Sequence, residues 1–180
     1  EATAHMTANL SYPLVIVLTL LLPWAVVARM QGGMELLLAI DLLLFSAAVL
    51  PFLAFYGAAI IGSGTDTGRR LRRLPIVLAL GLGMAASQTR AVVGGLIGEV
   101  GTFVRTPKRG SASSGLYQAA LGTPPVVRML TGVELSLSAY MAAACVYAVA
   151  AGYFASVPFL GLFTAGFGAV GFGTVRRQVS

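Results

Sequence analysis

Charge is what this sequence has least of. Only 10% of its 180 residues are Asp, Glu, Lys or Arg, where soluble domains carry about 25%. That shortage excludes an ordinary soluble domain. The acids are scarcer than the bases. They are Glu1, Glu35, Asp41, Asp66, Glu99 and Glu134, and no two form a close pair in the sequence, so paired-carboxylate acid–base catalysis has no foothold. One histidine, His5, and one cysteine, Cys145, exclude an internal disulfide, a cysteine-based metal site and a His/Cys/Asp metal cluster. Cys145 lies in an apolar run and reads as a small packing residue within a helix. No glycine-rich phosphate loop with a following Lys-Ser or Lys-Thr occurs. Taken alone, the chain carries no catalytic residue set and no cofactor site of its own. Its opening segment, EATAHMTANLSYP, lacks the basic start and small-residue cleavage site of a signal peptide. The chain therefore reads as a piece of something longer or as a processed product.

What fills the sequence instead is hydrocarbon. Hydrophobic residues make up 57% of it and the mean hydropathy is +0.87, the composition of an all-α integral membrane protein. The expected architecture is a single membrane domain over 1–180. It has about four transmembrane helices, an interfacial or re-entrant helix, and a cytoplasmic loop. The first span covers 10–28, a run that rises about 28 Å as a helix and so crosses the hydrocarbon core. Pro13 sits in its first turn, Pro23 lies deeper and is expected to kink it, and Trp24 and Arg29 suit the interfacial belt. The second span falls within 35–61, with Glu35 and Asp41 near its start. Acids at lipid depth are functional by default, but Asp41 lies near enough to the helix end for interfacial placement. Further spans are expected at 133–154, with Glu134 near its cytoplasmic end, and at 159–175, where Gly and other small residues favour close helix packing.

The basic residues set the topology. GSGTDTGRRLRRLP, residues 62–75, puts Arg69, Arg70, Arg72 and Arg73 in one loop and marks the cytoplasmic side. Residues 76–98 are long enough to span, but SQTR at 87–90 interrupts them and glycines weaken their helix preference. An arginine near the bilayer centre costs about 2.5–3.5 kcal/mol on insertion scales. Interfacial or re-entrant placement avoids that cost. With four spans, Arg29 faces out and the other eleven of the twelve basic residues face in, and both termini are cytoplasmic. The net charge of +6 is then a consequence of the positive-inside rule, and no nucleic-acid partner is expected.

The polar stretch 99–131 holds the most distinctive residues. In GTFVRTPKRG, residues 101–110, Phe103, Arg105, Thr106 and Lys108 offer a ring, two cations and a hydroxyl within six positions. Cations offset the charge of a phosphate or nucleotide diphosphate, and hydroxyl and backbone N–H groups place it. An ordinary positive-inside loop touching lipid headgroups has the same composition. The stretch that follows, GSASSGLYQAALGTPP, reads as loop with a stop at Pro125.

GTFVRTPKRG resembles the F-x-V-T-x-K gating loop of cellulose synthase and its processive family-2 glycosyltransferase relatives in bacteria. Phe103, Thr106 and Lys108 match in type and spacing, and Arg105 stands where cellulose synthase has Val. HMTANLSYPL at 5–14 resembles the first transmembrane helix after the catalytic domain of those enzymes. RRLRRLPIVLALGLGMAASQTRAVVGGLIGEV resembles the interfacial segment that leads into the loop. The resemblance covers nearly all of the chain, but only the C-terminal membrane half of such an enzyme. It implies that Phe103, Arg105, Thr106 and Lys108 hold a nucleotide-sugar near its diphosphate, and that the helices form part of a channel for the growing glycan. It also implies a bacterial inner-membrane location. The family's metal-binding Asp motifs, T-E-D base and Q-x-x-R-W motif are missing; Trp24 is the sole Trp, and Asp41 and Asp66 are the sole aspartates. Nucleotide-sugar and divalent metal therefore enter only with a catalytic domain.

Two functions follow. The chain is either the membrane portion of a processive glycosyltransferase, partnered by lipid and a catalytic domain, or a truncated relative serving as a structural subunit of another membrane complex, photosynthetic or respiratory. A free-standing transporter fits poorly, because no internal repeat is present.

Overall fold

The computed structural model describes residues 10–32, 43, 46, 50, 53–62, 66–98 and 125–179. Every element among them is helical. In chain order they are α1 (Ser11–Gln31), α2 (Leu53–Gly62), α3 (Thr67–Leu71), α4 (Leu74–Gly83), α5 (Ala85–Leu96), α6 (Pro125–Ala150), a short 3-10 turn (Phe154–Ser156) and α7 (Val157–Val179). By length and apolar composition, α1, α6 and the 3-10 turn with α7 can each cross a membrane. The stretch from α3 to α5 qualifies as a fourth only if its two straight parts, joined with a 40° bend, are taken together. A 40° bend turns the axis without reversing it. The expected 35–61 span lies largely outside the described residues, which show only its last part as α2.

Two boundaries differ from those expected. Pro125 opens α6 rather than stopping it. Proline lacks the N–H that a first helical position leaves unbonded, and its fixed φ suits helix entry. The helix thus starts well ahead of 133, and residues 125–131 belong to it rather than to the loop. At the other end α6 stops at Ala150, short of the expected 154. Gly152 adopts φ +81°, while the Tyr153 N–H donates to the Ala148 carbonyl at 2.7 Å and the Gly152 N–H to that of Val149 at 3.1 Å. This is the Schellman pattern, which needs a residue tolerant of positive φ after the helix. It turns the chain so that α7 returns along α6. Pro23 leaves no gap in α1, whose helix runs from Ser11 to Gln31 through it.

The core lies along the α6–α7 seam. Met141, Leu160, Phe163 and Phe167 are buried there with Leu137, Ala148 and Ala85, and Tyr12, Val15 and Ile16 of α1 close over them. Cys145 is half-buried at the edge of this cluster, the packing role expected of it. Among the described residues two hydroxyl ties cross between helices, beside a long contact of Cys145 Sγ with the Val157 carbonyl at 4.0 Å. Ser138 Oγ on α6 donates to the Thr164 carbonyl on α7 at 2.9 Å, and Tyr140 on α6 donates its hydroxyl to the Leu20 carbonyl on α1 at 2.8 Å. The second tie lands one turn ahead of Pro23, where the missing proline N–H loosens the carbonyl ladder.

Small residues bring the bent helix against α7. A β-carbon on Gly83 would collide with the Gly166 carbonyl, and one on Gly166 with the Ala79 carbonyl. Ala79, Gly83 and Gly166 thus let two backbones touch, the small-residue packing typical of helices that lack a hydrophobic drive toward each other. On its other face α7 uses Gly168 and Gly171 against Ser138 and Leu135 of α6.

Candidate functional site

The joint between α4 and α5 is a bend, not a gap. The Met84 N–H still donates to the Leu80 carbonyl and the Gln88 N–H to that of Met84, both at 3.0 Å. Ser87 Oγ also donates to the Met84 carbonyl at 2.9 Å. A serine hydroxyl on the ladder is one of the ordinary causes of a helix bend. Gly83, held on the Gly166 carbonyl, fixes where the bend occurs. Of the SQTR interruption, Ser87, Gln88 and Thr89 are half-buried and Arg90 is exposed. Thr89 Oγ1 is buried with no hydrogen-bond partner among the described residues.

Behind this joint lies a cavity of about 520 Å³, walled by α4, α5, α6 and α7. Leu80, Met84, Val170 and other apolar side chains form most of it, and Ser87, Thr131, Glu134 and Thr174 supply its polar groups. Glu134 is only 3% exposed, and among the described residues nothing bonds its carboxylate. The three hydroxyls are already committed as donors. Ser87 gives its proton to the Met84 carbonyl, Thr131 to that of Val127 at 2.8 Å, and Thr174 to that of Val170 at 3.0 Å. What they turn to the cavity is oxygen lone pairs. Among the described residues no lysine, arginine or histidine lines it. With Glu134 ionised, the polar side chains of the described lining accept hydrogen bonds and offer none.

A second recess of about 270 Å³ lies between α1 and α6, with Pro23, Trp24, Tyr140 and Tyr147 among its walls. It is almost wholly apolar, and the Tyr140 hydroxyl is spent on Leu20.

The residues singled out in the sequence, Phe103, Arg105, Thr106 and Lys108, lie outside the described residues, as does Asp41. The described structure instead brings forward Glu134. Its position in an apolar run was the available signal, since an acid within a membrane helix is expensive; its burial is set by Gly171, which lets α6 approach α7 closely beside it. Among the described residues no group of three or more His, Cys, Asp or Glu could hold a metal ion.

Compared with known protein families, with curated proteins and with solved structures, the chain matches none of them.

Proposed function

We propose that this chain is the non-catalytic membrane part of a processive family-2 glycosyltransferase-like protein, anchoring and gating polysaccharide synthesis and export. The observation that carries this reading is the stretch FVRTPK, residues 103–108, with its ring, cations and hydroxyl at the spacing of a nucleotide-sugar loop. Its setting supports the reading. The stretch lies shortly after Leu96, where the bent helix ends, and that helix is held on α7 by the Gly83–Gly166 seam. A firmly seated helix ahead of the loop is what a hinge on a membrane surface requires. In this reading Phe103, Arg105, Thr106 and Lys108 meet the donor diphosphate, and the catalytic domain, nucleotide-sugar and divalent metal lie on the cytoplasmic side of the bacterial inner membrane with both termini.

The test is Lys108→Ala in the native assembly. Loss of one cation from a diphosphate site removes a charge-assisted contact, typically about 1.5–3 kcal/mol, so polymer synthesis falls at least about tenfold while assembly is unchanged. Unaltered synthesis removes the loop's role.

A second reading, a structural subunit of a larger membrane complex, is favoured by one observation. The 18-residue apolar window of α1 is only 11% buried within the chain, leaving a long helix face for other helices. Intact mass after gentle purification separates the two. A mass above 18.6 kDa by about one catalytic domain supports the glycosyltransferase, and a mass near that value with stable unrelated partners supports the subunit.

A further inference from the structure

The cavity behind the α4–α5 joint is the least explained feature of the molecule, and its chemistry is one-sided. Among the described residues it holds a single carboxylate, Glu134, almost wholly withdrawn from solvent. Around it stand three hydroxyl oxygens whose protons are engaged elsewhere, and apolar walls. An ionised acid at such a depth is costly unless a cation meets it. The described lining supplies none.

We propose that this cavity binds a primary ammonium group, seated on Glu134 and hydrogen-bonded by the hydroxyl oxygens of Ser87, Thr131 and Thr174. Three features select that chemistry. An ammonium carries three N–H donors and no acceptor, the complement of an acceptor-only lining. Its charge answers the lone carboxylate. The volume of about 520 Å³ accommodates an organic group, whereas a bare metal ion needs several oxygens drawn in to about 2.0–2.6 Å. A quaternary ammonium fits poorly, because it has charge but no N–H to give. Two sources share the chemistry: the headgroup of an aminophospholipid and a small soluble amine. The inference stands independently of the glycosyltransferase reading, since it uses no residue of the 101–110 loop.

The experiment is native mass spectrometry of the protein released from nanodiscs of equal phosphatidylethanolamine and phosphatidylcholine. The two lipids differ at the headgroup in primary against quaternary ammonium. The native chain is expected to retain phosphatidylethanolamine over phosphatidylcholine by roughly tenfold, as one charge-assisted hydrogen-bonded contact allows. Glu134→Gln, similar in shape, brings the ratio to about one. Thr131→Val, which keeps the acid and removes one acceptor, lowers it by roughly threefold, and this milder variant carries the test should Glu134→Gln fail to fold. Added ethanolamine separates the sources: displacement of the lipid assigns the site to amines in general, and retention assigns it to the lipid headgroup. Equal retention of both lipids by the native chain overturns the proposal. So does a preference that survives Glu134→Gln with helical circular dichroism unchanged.

Discussion

At the scale of single residues, the polar side chains of this bundle divide by what they bond. Thr19, Thr131, Thr164 and Thr174 each return their hydroxyl proton to a carbonyl one turn back, which satisfies them without a partner helix. Ser138 and Tyr140 reach across. Tyr140→Phe keeps the ring and removes only the bond to Leu20. Interhelical hydrogen bonds in membranes are worth on average about 0.6 and at most about 1.7 kcal/mol. The variant should lose stability within that range in detergent unfolding, with the α6–α7 hairpin unaffected; no loss would mean that the Leu20 carbonyl finds another donor. The sequence singled out Asp41 as the acid that might sit near lipid depth and placed Glu134 near a helix end. The structure places Glu134 inside α6, which starts at Pro125, and neither that position nor its burial was legible. Burial depends on which face meets Gly171, and a helix that is apolar nearly all round carries no periodic mark of its inner face.

At the scale of elements, the existence and type of the helices were legible, because long apolar runs permit little else. Their ends were less so. Reading Pro125 as a stop and letting α6 run on to Phe154 missed two local rules: proline enters a helix comfortably, and Gly152 leaves one. The seam between α4 and α7 was legible only as a richness in small residues, without the pairing of Ala79 and Gly83 with Gly166. That pairing makes two glycines of one helix behave oppositely. Gly83→Ala forces a methyl group into the Gly166 carbonyl and should cost about 1–3 kcal/mol, the usual range for overpacking. Gly81→Ala, with nothing within 4 Å of the added carbon, should be neutral or stabilise by up to about 1 kcal/mol through helix preference. Parallel unfolding curves of the two variants check this. Equal effects would place the helix–helix contact elsewhere.

At the scale of the whole molecule, the two ends of the bent helix decide the topology. Arg69, Arg70, Arg72 and Arg73 stand at its beginning, and the positive-inside rule places such a cluster on the side that holds the chain's other cations. Length and composition alone would also let α3–α5 cross as a fourth span. The two arrangements differ at the far end of the bent helix. With Cys145 replaced by serine, single cysteines at Ser11, Gln31, Thr67 and Leu96 mark the start of α1, its end, the start of α3 and the end of α5. Ser11 and Gln31 should react with a membrane-impermeant thiol reagent from opposite faces, since α1 is long and apolar enough to cross. Thr67 and Leu96 are both expected to react from the Ser11 face, because separating the four arginines at the start of the bent helix from the cations of the loop beyond it opposes the charge asymmetry that orients the chain. That result keeps both ends of the bent helix on the face where a cytosolic catalytic domain would sit. Labelling of Leu96 from the face opposite Thr67 would instead make the bent helix a crossing, and the loop it leads into would need a different route to any nucleotide-sugar.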